Sequence, residues 1–258
     1  MLDAIILGLI QGLSEFLPIS SSGHVTIALI ILGVQENSGF AAAIHIATCL
    51  AAIIYFRKDI QDIFKSFIQY KNTDLKEERE LGINIIIATI PAAILGLIVS
   101  KLGLDQYFSS AFSIGVSAII FAKLLYFTDK YSKNNQNLNK FGAVIIGAAQ
   151  IIAAVFPGAS RSGVTLTASF LLNIKRDYAA KFVFLISIPM TALASLNEIV
   201  LEKSVQFNTN FIIAFVVALI SGMMAIHILL YFIRSKSLKW LMLYRIIFGI
   251  IAILIAVR

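Results

Sequence analysis

The sequence predicts an all-α membrane protein with an inverted-topology repeat, made of two re-entrant helical hairpins plus six transmembrane helices. Three observations predict it. Of the 258 residues, 59% are hydrophobic and 14% charged, with a mean hydropathy of +0.90, which leaves too little polar surface for a soluble domain. Several apolar stretches reach the roughly 20 residues that cross a hydrocarbon core. Two interrupted apolar regions resemble each other in register.

Along the chain, the first interrupted region covers residues 2–34 and is broken by Pro18 and "SSSGH". Its half-segments, like those of the second region, run to roughly 11 to 17 residues, short of a span. Each half reads as a helix that enters the membrane, turns and leaves on the side it came from. Non-helical backbone at that depth is tolerated where it is buried in protein or lines a water-filled cavity. Spans are expected at about 41–56, 83–100 and 108–127. The second interrupted region, 141–173, is broken by Pro157 and "GASRSG", and further spans are expected at about 179–200, 209–233 and 240–257. The opening "MLDAIILGLIQGLSEFLP" lacks a basic leader and a small-residue cleavage site, so it reads as part of the mature fold.

At a constant offset of 139, Gly8, Gln11, Pro18, Ser21, Val25 and Thr26 correspond to Gly147, Gln150, Pro157, Ser160, Val164 and Thr165. Agreement of Gln, Pro, Ser and Thr in one register is hard to obtain by accident in apolar sequence. Each unit is one hairpin and three spans, an odd number, so the second unit sits upside down relative to the first. The chain is therefore expected to be a single integral membrane domain, 1–258, with repeat one at about 1–127, repeat two at about 141–258 and a cytoplasmic linker at about 128–140.

Charge placement sets the orientation. The loops around 57–82, 128–140, 174–178 and 234–239 fall on one side and collect all but four of the 21 Lys and Arg, among them Arg57, Lys58, Lys130, Lys133, Lys175, Arg176, Arg234 and Lys236. Lys101, Lys203 and Arg258 fall on the other side, and Arg161 falls inside the second hairpin. The basic side is cytoplasmic and both termini are external. The charged stretch "KNTDLKEERE", 71–80, reads as a solvated cytoplasmic connector. The net charge of +7 is absorbed by these loops and calls for no nucleic-acid partner. Cys49 is the single cysteine, so no intrachain disulfide forms.

Arg161, in "PGASRSGVT", sits at membrane depth, where an arginine costs about 3 kcal/mol on insertion scales. Such a residue faces the protein interior and pairs with an acid, and Glu15, in the matching zone of the first hairpin, is the natural partner. That pair could be purely structural, joining the two halves. The surroundings favour chemistry. "SSSGH" and "SRSG" each follow a proline and precede an apolar half-helix, so their serines are expected N-caps. Two helix N-termini and a guanidinium fork make a site for phosphate or pyrophosphate. His24 follows Ser20, Ser21 and Ser22, which offers a nucleophile and a base together. Gln11 and Glu15, at i and i+4, share a helix face; Glu15 could hold a metal, orient a hydroxyl or pair with Arg161. His45 and His227 lie inside spans with no comparable cluster; His227 reads as structural and His45 as at most a support to the site.

At these residues the sequence resembles the undecaprenyl-diphosphatase family of bacterial membrane phosphatases, also called the bacitracin-resistance family. One family motif, (E/Q)xxxE, is present as "QGLSE", 11–15, continuing through "FLPISSSGH"; the other, PGxSRSxxT, is "PGASRSGVT", 157–165. The resemblance spans essentially the whole chain. It implies hydrolysis of undecaprenyl diphosphate to undecaprenyl phosphate and inorganic phosphate, which recycles the lipid carrier of cell-wall synthesis and removes the target of bacitracin. It implies a multi-pass protein of the bacterial plasma (inner) membrane whose site opens to the external, periplasmic side. Carried over residue by residue, Glu15, Ser21, His24 and Arg161 look catalytic, and Gln11, Ser20, Ser22, Ser160, Ser162 and Thr165 look like substrate contacts.

The resemblance also implies a divalent cation, Mg²⁺ or Ca²⁺, with Glu15 as its ligand. Gln11 stands where many members carry glutamate, which removes one carboxylate from any such metal site. The partners implied are a polyprenyl diphosphate, membrane lipids and a second copy of the chain in a homodimer. A second family of lipid phosphatases, to whose PSGH box "SSGH" is similar, also needs an Arg-Pro pair, and this chain has none. The attacking group is left open between Ser21, His24 and water. The rival reading of the architecture is a secondary transporter or polyprenyl-phosphate flippase, because inverted repeats with broken helices are common in transporters.

Overall fold

A computed structural model describes residues 1–34, 38–201, 208–235 and 237–257; Lys203, Lys236 and Arg258 of the charge count lie outside them. The chain runs α1 (Leu2–Phe16), α2 (Ser21–Leu32), α3 (Ser38–Tyr55), α4 (Arg57–Ile68), α5 (Lys76–Leu102), α6 (Ala111–Tyr131), α7 (Lys140–Val155), α8 (Arg161–Leu171), α9 (Arg176–Leu201), α10 (Thr209–Ser235) and α11 (Lys239–Ala256). Among the described residues the fold is all-helical, with a single isolated bridge between Gln136 and Ile174. Five segments are long and apolar enough to cross a membrane: Thr73–Leu102, Ala111–Tyr131, Arg176–Leu196, Thr209–Ile233 and Lys239–Ala256. Among the described residues Phe40–Tyr55 and Arg57–Ile68 pass the same test only as a pair, and they are bent by 71° at Phe56. This is a multi-pass helical membrane protein.

The expected connector at 57–82 is instead largely helical. Ile60, Ile63, Phe64 and Phe67 recur at helical spacing and give α4 an apolar face, while its charged face carries Arg57, Lys58, Asp59, Asp62 and Lys65. Gly82 lets α4 close on α5, since a Cβ there would meet Ile63 Cγ2 at 2.7 Å and Phe67 Cε2 at 2.8 Å. Within 71–80, residues 76–80 are the first turns of α5: Glu77 and Glu78 suit a helix N-terminus, and Lys76 and Glu80 pair one turn apart at 4.0 Å.

Packing joins the two halves helix by helix, through small residues that let backbones approach. A Cβ on Gly8 of α1 would lie 2.7 Å from Ala214 O on α10, and one on Gly147 of α7 would lie 2.2 Å from Ala88 O on α5. Gly115 of α6 and Gly249 of α11 face each other, each hypothetical Cβ meeting the other's carbonyl oxygen, at 2.5 and 2.7 Å. On α3, the Cys49 thiol reaches Ile188 O of α9 at 3.6 Å. Between these pairs lies an apolar core with Phe16, Phe56, Leu125, Ile146, Phe182 and Phe184.

At one end, Asp59, Asn134, Lys175 and Arg176, from three of the stretches expected on the basic side, line a common cleft of about 1000 Å³ with Lys181 and Tyr231. Asp129, at the end of α6, ties that end together. Its carboxylate pairs with Arg176 of α9 and accepts from Ser237 Oγ at 3.1 Å and Leu238 N at 3.0 Å, at the start of α11. Lys181 of α9 pairs with Asp59 of α4. His227 meets the Tyr55 hydroxyl at 3.1 Å in the wall of the same cleft.

Candidate active site

Two helix breaks build the site, and both are written in local sequence. Pro18 cannot continue α1, and Leu17 turns extended. Ser20 then takes a left-handed φ of 76° and caps α2, its Oγ accepting from Gly23 N at 3.1 Å. In the second break Pro157 opens a short 3-10 turn, Pro157–Ala159, and Ser160 takes a φ of 63° and caps α8, accepting from Gly163 N at 3.3 Å. A non-glycine residue held there costs about 1–3 kcal/mol, so both serines need support.

The two Ser-x-x-Gly frames superimpose at an offset of 140, not 139. Proline and cap are two residues apart in the first break and three in the second. The extra residue closes the 3-10 turn. The sequence register at 139 therefore holds through Pro18 and Pro157 and slips by one beyond them. Ser21 corresponds structurally to Arg161, each the first residue of its helix, and Ser160 corresponds to Ser20.

The breaks are strapped to each other. Ser20 Oγ donates to Pro157 O at 2.6 Å, and Ser162 Oγ donates to Leu17 O at 2.9 Å. Arg245 of α11, 0% exposed, donates to Pro18 O at 3.2 Å, to Gly158 O at 2.8 Å and to Ala159 O. The charge count placed Arg245 with the basic loops. It is instead a buried clamp across both breaks, satisfying carbonyls that no helix can serve.

Beside the straps lies a chamber of about 160 Å³, lined by Glu15, Ser21, Ser22, His45, Ser160, Arg161, Thr191 and Ala194. Glu15 is its centre. One carboxylate oxygen pairs with Arg161 Nη2; the other accepts from Ser21 Oγ at 2.7 Å and from Gln11 Nε2 at 3.0 Å. Arg161 Nη2 also donates to Thr191 Oγ1 at 2.9 Å, and Thr191 donates on to Ser187 O at 2.7 Å. The expected pairing of Arg161 with Glu15 is thus made between the two breaks.

The other expected site residues divide. Ser22 and Ser160 face the chamber with Ser21. Gln11 touches Glu15 only from behind, and Ser20 and Ser162 spend their hydroxyls on the straps. Thr165 lies deeper in α8, donating to Arg161 O at 2.8 Å.

His24 turns away from Ser21. Its Nδ1 lies 2.7 Å from Ser20 O and its Nε2 2.9 Å from the Tyr244 hydroxyl, and its ring stacks on Phe248 at 3.8 Å. A carbonyl can only accept, so Nδ1 carries the proton and Nε2 accepts from Tyr244. The histidine that does line the chamber is His45, alongside Glu15. Neither His45 nor Thr191 sits in a motif, which is why sequence alone did not select them; Arg245, inside an apolar span, carried the signal that Arg161 carried and was counted as a loop charge.

Both oxygens of Glu15 are engaged, and among the described residues no group of three or more His, Cys, Asp or Glu is arranged for a metal. Among the described residues, Glu15 is the one carboxylate in the chamber lining, so a divalent cation held there would take Glu15 as its protein carboxylate and draw its other oxygens from hydroxyls and substrate.

Fold and site together define a multi-pass helical membrane protein with a carboxylate, a guanidinium and hydroxyls gathered at two facing helix N-termini, the equipment of phosphate chemistry. The family model for bacitracin resistance protein BacA matches residues 4–251, and the chain belongs to that family. It is 39% identical over 255 residues to an undecaprenyl-diphosphatase of Korarchaeum cryptofilum (strain OPF8), covering 96% of each chain. It is 38% identical to undecaprenyl-diphosphatase 1 of Pseudoalteromonas translucida (strain TAC 125), with 97% and 96% covered. It is equally similar, at 38%, to an undecaprenyl-diphosphatase of Thermosipho africanus (strain TCF52B), with 97% and 98% covered.

Proposed function

We propose that this protein is an undecaprenyl-diphosphate phosphatase, hydrolysing its lipid substrate to undecaprenyl phosphate and inorganic phosphate. The observation that carries the reading is the chamber in which Glu15 holds both Ser21 and Arg161. The names of the relatives supply the substrate. In this reading α1–α2 and α7–α8 are re-entrant hairpins of an inverted repeat. The reciprocal packing of α1 on α10 and α7 on α5 supports that arrangement. The chain lies in the plasma membrane with its basic end cytoplasmic and the chamber opening to the external side.

The terminal phosphate enters the chamber and the polyprenyl tail lies between helices. Arg161 and the uncapped first-turn N–H groups of α2 and α8 neutralise the phosphoryl oxygens, which is where most phosphoryl-transfer catalysis arises. Ser21 Oγ attacks the terminal phosphorus as its proton passes to Glu15, the base already in contact with it. The bond to the bridging oxygen breaks and the lipid monophosphate leaves. Protonated Glu15 releases its charge from Arg161, so the guanidinium is freed for the phosphate at the moment negative charge gathers there. Water then attacks the phosphoserine and keeps its protons on the released dihydrogen phosphate, as the Ser21 Oγ–phosphorus bond breaks and Ser21 recovers its proton from Glu15. A divalent cation would be held by Glu15 and would supply counter-charge to the diphosphate, and no step here passes through it.

The test is phosphate release from a polyprenyl diphosphate by the purified chain in detergent, where no gradient exists. Release by the native protein, lower by about 10²-fold or more in Ser21→Ala and in Arg161→Ala, is the expected result. A secondary transporter or flippase would bind the lipid under these conditions and release nothing.

A further inference from the structure

Gln150, on α7, is the repeat counterpart of Gln11, 139 residues on. Gln11 uses its amide to hold Glu15 one turn later. One turn after Gln150 stands Ala154, so the second repeat offers no carboxylate in return. Gln150 is 5% exposed, and both Oε1 and Nε2 lack a hydrogen-bond partner. A buried amide unsatisfied at both ends is rare in native proteins and signals a small polar ligand. The penalty is sharpest at membrane depth, where bulk water cannot reach it.

The space for that ligand is present. Gln150 faces a small void whose free volume, about 10 Å³, suits one water. Glu15, Arg161, Ser162, Thr165 and Ser187 supply its other polar walls. The Thr165 hydroxyl donates to Arg161 O at 2.8 Å and that of Ser187 donates to Phe184 O at 2.6 Å, so each oxygen can still accept. Glu15 and Arg161 line this void and the outer chamber alike. The ion pair is therefore a wall between the two.

We infer that this void is a binding site for a single buried water, held by Gln150 and bridging α7 to the inner side of the Glu15–Arg161 pair. Gln150 is thereby a positioning residue. It never meets the substrate, and it fixes the guanidinium from behind while Thr191 and Glu15 fix it from the chamber side. The two glutamines of the repeat then brace one ion pair, Gln11 directly and Gln150 through water. The positioning role rests on the phosphatase reading; the water site does not.

The experiment pairs an experimental structure of the native protein, at a resolution that shows ordered water, with kinetics of Gln150→Met, an apolar isostere. The expected structure has one peak of density within hydrogen-bond distance of the Gln150 amide. The expected variant has a kcat lower by about ten-fold or more, as misplaced catalytic groups produce, with KM within about two-fold and a melting temperature no lower than native. An amide with only a packing role would leave kcat native, since replacing a buried polar group that serves nothing is neutral or stabilising. An empty void, or native kcat in Gln150→Met, overturns the inference. Should Gln150→Met also lose thermal stability, the density alone decides. Failure of the native protein to release phosphate would overturn the phosphatase reading and leave the density to judge the water site.

Discussion

Ser21 and Arg161 hold the same position in two different helices, the first residue after a serine cap with positive φ, and both reach the carboxylate of Glu15. A hydroxyl at one helix N-terminus and a guanidinium at the other thus converge on one acid.

The first prediction concerns that convergence. Arg161→Ala is expected to lower phosphate release by about 10² to 10³ or more, the scale on which transition-state charge stabilisation operates. Arg161→Lys is expected to recover little of it, because an ammonium cannot serve Glu15, Thr191 and a phosphate with one planar fork. Since Glu15 and Arg161 act as a unit, Glu15→Gln combined with Arg161→Ala should be scarcely worse than the poorer single variant. Full additivity of the two losses, read from initial rates at saturating lipid, would mean that they work separately.

The two histidines should behave differently. His24 shares one hydrogen bond with Tyr244 and holds the carbonyl of the Ser20 cap. His24→Gln and Tyr244→Phe are therefore expected to lower kcat to similar degrees, with the double variant no worse than either alone. His45 lines the chamber itself, and His45→Gln is expected to cost about ten-fold or more in kcat, toward the range of a lost proton-transfer group. Wild-type turnover in His45→Gln would leave that ring a role in packing alone.

Arg245 carries the third prediction. Its guanidinium serves three carbonyls of the two breaks, and hydrogen bonds from a charged donor contribute about 1.5–3 kcal/mol each. Arg245→Met is expected to lower the melting temperature in detergent and to abolish phosphate release, because Ser20 and Ser160 lose the frame that holds their strained backbone. Arg245→Lys should stay less stable than native, as one ammonium cannot span carbonyls from both breaks. Native stability in Arg245→Met would mean that the serine straps suffice.

How far the sequence could be read follows from which signals were local. The interruptions at Pro18 and Pro157, the serine caps and the Glu15–Arg161 pairing were legible because each is an isolated polar or helix-breaking feature in apolar surroundings. The one-residue slip between the breaks was not, since an extra residue absorbed by a 3-10 turn leaves no trace in composition. The helix α4 was missed because its charges hide an apolar face that appears once residues are placed at helical spacing. Three-dimensional neighbours such as His45, Thr191 and Tyr244 come from distant spans, and no spacing rule connects them to the motifs.

The last prediction separates stability from chemistry. Asp129 lies at the basic end, away from the chamber lining, and joins α6 to Arg176 of α9 and to the first residues of α11. Its side chain is 2% exposed, and removing it breaks hydrogen bonds from Arg176, Ser237 Oγ and Leu238 N to a charged group, which contribute about 1.5–3 kcal/mol each. Asp129→Ala is therefore expected to unfold at clearly lower temperature in detergent. The chamber is built from α1, α2, α3, α8 and α9 residues that Asp129 does not touch, so kcat per folded molecule, measured well below the new melting temperature, should remain within about two-fold of native. If kcat fell with stability unchanged, the basic end would be communicating with the ion pair, and the Phe16–Phe184–Phe56 contacts between them would be the route to examine by substitution.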